Sequence, residues 1–265
     1  MGGKCANPTT LLTKYPSRMH PLPRVMPPHT KEALPILISE EVVSDNVSYG
    51  LSCSVECLPL SCLRLFPMTE VNIMTQTPGL VIFDPVGLAD FLARHQVSGP
   101  NVLERFIQDP GLGNEALSTG YLLPIYSIPA WDHRVRVTHA AQPSVPAEWV
   151  LFETPCFVLQ VTSNRVLVSD LWALLNWEAD TYLHYGRQPM AATYAAANAF
   201  TVTAQVFVQN GRYQVTLVGF CDQQQPDVET RPCGYELLLT RNEQAVFGLL
   251  GNIDSLDLEV VKLPE

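Results

Sequence analysis

Short apolar runs, each closed by Gly, Pro, Asn or Asp, fill the chain from residue 68 onward, and strand-like runs do not alternate with helix-like runs one for one. A doubly wound parallel sheet needs a helix between successive strands, because parallel strands are joined by crossovers of a dozen residues or more. Several runs here are separated by no more than a tight turn. The pattern predicts an α+β fold: an antiparallel sheet built from hairpins with three or four helices, forming a single domain over residues 68–265.

Spacing places the elements. Gly79–Asp84 is a continuous apolar run, GLVIFD, read as a buried strand. Asp84-Pro85 then supplies an N-cap residue and a proline at the first helical position, with Leu88, Phe91 and Leu92 at helical spacing behind it. Ser98-Gly99-Pro100 opens a second helix carrying Val102, Leu103, Phe106 and Ile107 on one face, and Asp109-Pro110-Gly111 closes it. Tyr121–Ile128 reads as a strand that Pro124 confines to an edge. His133–His139 alternates polar residues with Val135 and Val137, the signature of a half-buried strand.

Trp149–Glu153 and Cys156–Val161 read as two strands separated by Thr154-Pro155, and the Ser163-Asn164 turn predicts a hairpin over Cys156–Val168. Ser169 is then the expected cap of a long helix, with Leu171, Leu174, Leu175, Glu178 and Tyr182 on one side, Trp172 and Trp177 widening it, and Gly186 ending it. Ala191–Phe200, with six alanines, predicts a short helix. Asn210-Gly211 between Thr201–Val208 and Tyr213–Phe220 predicts a second hairpin, with both turn residues at positive φ. Tyr235–Thr240 and Leu256–Leu263 complete the expected strands.

The first 67 residues are different in kind. They hold 9 of the 22 prolines and 4 of the 7 cysteines, and prolines interrupt Met1–Pro35 every few residues, so no helical or strand period survives. A largely disordered Pro- and Cys-rich extension is expected, with the folded domain starting near Met68 or Met74. No signal-peptide pattern opens the chain, and Val47–Phe66 is broken by Glu56, Pro59 and Arg64, so neither secretion nor a membrane span is predicted; the expected location is the cytoplasm.

Charge narrows the partners. The chain carries 26 acidic against 16 basic residues, a formal net charge of -10. Phosphate-backbone binding needs clustered Lys and Arg, so nucleic acid is not expected, whereas a basic protein partner fits. Residues 1–67 contribute 6 basic and 5 acidic residues, so the remainder holds 10 basic and 21 acidic residues, a net of -11.

Reactive groups give no recognisable site. Cys53, Cys57 and Cys62 lack a nearby fourth ligand, so no metal site is predicted; Cys156 is expected in the core, and Cys221 and Cys233 flank the Asp222–Arg231 loop where reduced thiols could face each other across neighbouring strands. His133 and His139 share one strand face at about 20 Å, too far to hold one metal. Neither a nucleophile elbow nor a phosphate-binding loop is present, and no catalytic residue or cofactor is predicted.

In composition and layout this acidic α+β chain resembles the small bacterial immunity proteins that neutralise a co-produced toxin, although no stretch matches a family motif. That resemblance implies a non-catalytic protein-binding domain. Tryptophan is enriched where proteins meet, and Trp177, offset from the Leu171–Leu175 stripe and flanked by Glu178 and Asp180, is the expected partner-binding group. Two alternatives stand beside this reading: an enzyme using His133 or His139 with a carboxylate, and a structural or assembly subunit.

Overall fold

The computed structural model describes residues 68–186, 201–227, 229–248 and 253–261. Two sheets and a helical layer organise them. The larger sheet has the strand order β1-β4-β9-β8-β5, formed by β1 (Thr69–Met74), β4 (Asp132–Thr138), β9 (Cys233–Arg241), β8 (Gly211–Cys221) and β5 (Val150–Val161). Its pairs are antiparallel except β4 with β9. The smaller sheet has the order β3-β2-β6-β7, all antiparallel, from β3 (Leu122–Tyr126), β2 (Gly79–Phe83), β6 (Arg165–Asp170) and β7 (Thr203–Phe207). The fold class is therefore α+β, as expected. No helix among the described residues is long and apolar enough to cross a membrane.

The smaller sheet is covered on both faces, and this explains its uninterrupted apolar strands. In β2, Leu80 and Ile82 point between the sheets to meet Val135, Val137, Leu217 and Leu237, while Val81 and Phe83 point outward into a second core. That second core is closed by three helices, α1 (Pro85–Arg94), α2 (Val102–Gln108) and α3 (Pro110–Thr119), through Leu88, Phe91, Val102, Phe106 and Ala116, and by the segment after β6 through Leu171 and Leu174. β6 repeats the alternation, with Val166 and Val168 between the sheets and Leu167 beneath the helices. Side chains alternate faces along a strand, so a strand buried on both sides has no polar positions to reveal its period.

Both expected hairpins are replaced by crossovers. β5 belongs to the larger sheet and β6 to the smaller, so Ser163-Asn164 carries the chain from one sheet to the other; Gln209-Asn210 does the same between β7 and β8. The two crossovers clasp each other, Asn164 N–H donating to Asn210 Oδ1 at 2.5 Å and Asn210 N–H to Asn164 Oδ1 at 3.1 Å. Gly211 has the expected positive φ, 153°, but Asn210 does not. Turn chemistry signals a reversal, and it is blind to which sheet the next strand joins.

Other elements differ locally. Thr154-Pro155 does not separate two strands: β5 is one twelve-residue edge strand whose register shifts between Thr154 and Phe157, and a bulge at an edge is where proline is tolerated. Asp109-Pro110 ends α2, as expected, and also caps a third helix, α3, that the sequence reading did not include, repeating the Asp84-Pro85 signature that opens α1. Ser169 lies within β6 and not at a helix start, and the expected long helix is two short ones, α4 (Trp172–Leu175) and α5 (Ala179–Leu183). Described residues of Leu256–Leu263 form no ladder, although Leu258, Val260 and Val261 are buried. β1 was not anticipated from the sequence; it pairs along β4, its Glu70 accepts from Arg136 Nε at 2.6 Å, and Ile73 bridges to Thr201. The expectations for residues 1–67 and Ala191–Phe200 lie outside the described residues.

Candidate protein-binding face

The α4–α5 segment is held in place by the two ends of β6. At the C-terminal end, the Asp170 carboxylate accepts from Trp172 N–H at 3.0 Å and so starts α4, while also accepting from Gln76 N–H at 2.6 Å and from the Thr77 hydroxyl. At the N-terminal end, the buried Arg165 guanidinium donates to Leu183 O at 2.6 Å, Tyr185 O at 2.6 Å and Tyr182 O at 3.4 Å. Leu183 O and Tyr185 O lie past the last helical hydrogen bonds of α5, and a cation there also suits the helix dipole.

Between these anchors an aromatic cluster fills the underside. Phe83 meets Trp177 and Tyr182 edge-on, with ring centroids 5.6 and 5.5 Å apart, and Trp177 stacks on Tyr182 at 5.0 Å. Trp177 N–H donates to Pro100 O at 2.7 Å, tying the segment to the start of α2. Burial, followed by the negative charges of Glu178 and Asp170, pushes the Tyr182 phenol upward, so it stays neutral at physiological pH.

The residues expected to bind a partner fall in this segment. Glu178 and Asp180 are exposed, and Trp177 is half-buried in the aromatic cluster. The more open tryptophan is Trp172, 47% exposed, which the sequence had placed on the apolar side of one long helix; the break at Asn176 turns it outward. Two further exposed apolar side chains, Met74 and Val202, lie at the same end of the sandwich. Backbone bonds link all three: Met74 N–H donates to Thr201 O, Asp170 N–H to Val202 O, both at 2.9 Å, and the Asp170 side chain receives Trp172 N–H.

The helical layer around this segment is acidic. Asp90, Glu104, Asp109, Glu115, Glu178 and Asp180 are exposed on or beside α1 to α5, against Arg94 and Arg105. Residues 171–186 contain no Lys or Arg.

The histidines have separate surroundings. His133 is 0% exposed and stacks near Tyr235 at 5.4 Å in the core between the sheets; burial pulls it down to about 4, so it is neutral at pH 7 and out of a substrate's reach. His139 is half-buried against Tyr213 at 5.7 Å, and burial lowers it too. Cys221 and Cys233 oppose each other across β8 and β9, as expected, and both are buried. Among the described residues no group of three or more His, Cys, Asp or Glu is placed to hold a metal ion.

The architecture is a two-sheet α+β sandwich with an acidic helical layer on one side. No protein-family model matches the chain, and no curated protein matches it significantly. Among solved structures it is similar to one titled "Crocagin biosynthetic gene J", at 12% identity and a TM-score of 0.36, over 66% of this chain and 98% of that one. It is also similar to ComJ from Bacillus subtilis, titled an inhibitor of the DNA degrading activity of NucA, at 8% identity and a TM-score of 0.33, over 66% of this chain and 96% of that one. Likenesses of this size carry no functional argument.

Proposed function

We propose that the chain is a non-catalytic protein-binding domain of the toxin-neutralising type, which takes up a basic protein partner on the α4–α5 face. The observation that carries this reading is that an open tryptophan, Trp172, shares one short exposed segment with Glu178 and Asp180, and that this segment lacks any Lys or Arg. An aromatic anchor with an apolar body supplies most of the affinity in such surfaces, and surrounding carboxylates steer a cationic partner and set its orientation. Trp177 acts beneath the surface by holding Tyr182 and α5 in position. The exposed Met74 and Val202 extend the apolar part of the face toward the sheets.

The test is affinity capture from the native host with the intact chain, followed by association kinetics on the captured protein. The reading expects the association rate to fall steeply between low and physiological salt, and Glu178→Lys with Asp180→Lys to slow association at low salt. Capture that is indifferent to both salt and charge reversal would remove the reading.

A further inference from the structure

We propose that Cys221 and Cys233 are a built-in dithiol–disulfide pair, a modification site at which oxidation by a small-molecule disulfide bridges β8 to β9. The register carries the argument. Cys221 and Cys233 form the last rung of the β8–β9 ladder. On the next rung out, Asp222 N–H donates to Pro232 O at 2.9 Å, so that rung is of the hydrogen-bonded kind. At the opposite end of the ladder, Asn242 N–H donates to Arg212 O at 2.9 Å, and Arg212 is an even number of residues from Asp222, which gives the same parity. The two kinds of rung alternate, so Cys221 and Cys233 occupy a non-hydrogen-bonded rung, where opposed Cα atoms lie about 4.5 Å apart and side chains approach most closely. That spacing falls inside the range a disulfide spans, roughly 4.4–6.8 Å between Cα atoms.

Both side chains face the core between the sheets, each 2% exposed, and both are free thiols. The only chain between them is the polar Asp222–Pro232 loop, whose residues 223–230 are largely exposed wherever they are described. The pair therefore lies at the end of the ladder, directly beside an exposed loop. Arg231, in the same loop, favours the Cys221 thiolate against the burial that pushes this thiol up, whereas burial and the neighbouring Cys221 push Cys233 up to about 12. Cys221 is thus the first nucleophile. Its thiolate attacks the small-molecule disulfide, forming a mixed disulfide and releasing one thiol. Cys233 loses its proton and displaces the second thiol, leaving the Cys221–Cys233 bond. Two electrons pass from the protein to the reagent, and the reagent leaves as two thiols.

The experiment uses the full chain with oxidised glutathione as the probe, followed by alkylation of remaining thiols and peptide mapping. The expected result is a linked peptide pair containing Cys221 and Cys233, reversed by dithiothreitol, with Tm raised by about 6–12 °C in the bridged form because the bond closes a short loop in the unfolded chain. Cys233→Ala should stop at a glutathione adduct on Cys221 and show no rise in Tm. The Cys221→Ala, Cys233→Ala double variant should fold and lose the redox-dependent shift in Tm. The proposal is overturned if the folded chain leaves both thiols open to alkylation while the denatured chain is oxidised under the same conditions. It is equally overturned if either cysteine pairs preferentially with a different one.

Discussion

Replacing Asp84 by Ala should destabilise the fold by about 3 kcal/mol, while the same change at Asp109 should cost about 1 kcal/mol, although both residues open a helix with an identical Asp-Pro step. Asp109 accepts one N–H, that of Leu112 at 3.2 Å, at an exposed position, and losing such a cap costs about 1 kcal/mol. Asp84 is 0% exposed and serves two structures at once. Its Oδ1 caps α1 through Val86 and Gly87 N–H at 2.9 and 2.8 Å, and its Oδ2 receives Thr162 and Ser163 N–H, both at 2.7 Å, together with the Ser163 hydroxyl. Truncation leaves the cap unmade and strips two further backbone donors, Thr162 and Ser163 N–H, of their acceptor, while the two hydroxyls can turn to other partners. Thr162 is at the surface, where water replaces part of the loss, so about 1 kcal/mol for each donor is the appropriate end of the range. For a folded unit of this size, 3 kcal/mol corresponds to a fall in Tm of about 6–12 °C, against about 2–4 °C for Asp109→Ala. Thermal melts and urea titrations of the two variants check this. Equal losses would refute the claim that Asp84 ties the β5–β6 crossover to α1.

Trp172→Ala should leave thermal stability within about 0.5 kcal/mol while weakening partner binding by about 2 kcal/mol, whereas Trp177→Ala should cost about 2–3 kcal/mol of stability; melts and binding assays on the two separate surface anchor from support. His133 titrates near 4 when folded and near 6.5 when unfolded, so the unfolded chain binds the extra proton between those values. Its contribution, about 3 kcal/mol, is complete above pH 6.5 and is lost as pH falls toward 4; His133→Leu should flatten that part of a stability-versus-pH curve. Gly211→Val should cost about 1 kcal/mol or more in a denaturant melt, because a β-branched residue is strained at positive φ and its Cβ would press on the Arg241 side chain at 3.2 Å. Deleting residues 1–67 should leave a domain whose melt matches the full chain; a collapse in Tm would show that this segment supports the fold.

Element type was legible wherever the driving pattern was local. The Asp84-Pro85 cap, the GLVIF strand, the Pro124 edge and the alternating His133–His139 run all come from side-chain periodicity or backbone chemistry within a few residues. What escaped was long-range. The Ser163-Asn164 and Asn210-Gly211 turns predict hairpins, but each joins strands of different sheets that pair with partners from distant segments, information that no turn residue carries. The α4–α5 break was hidden because Leu171, Leu174 and Tyr182 keep a helical period across it. That break alone decides that Trp172 faces solvent while Trp177 is drawn under the surface. The third helix could have been found, since Asp109-Pro110 repeats the signal already accepted at Asp84-Pro85.

The paired crossovers also set the speed at which this chain can find its structure. In the larger sheet Thr69 must meet Val137 and Val161 must meet Gly211, and in the smaller one Leu80 must meet Asp170. β8 and β9 are the strands joined most directly, through the loop between Cys221 and Cys233. Every other ladder requires a long loop to close before its contacts return any free energy, which makes high contact order the governing quantity. Folding should therefore begin at the β8–β9 hairpin and proceed on the millisecond-to-second scale of sandwich-like proteins, with β2 and β6, apolar on both faces, exposed until the helices close over them.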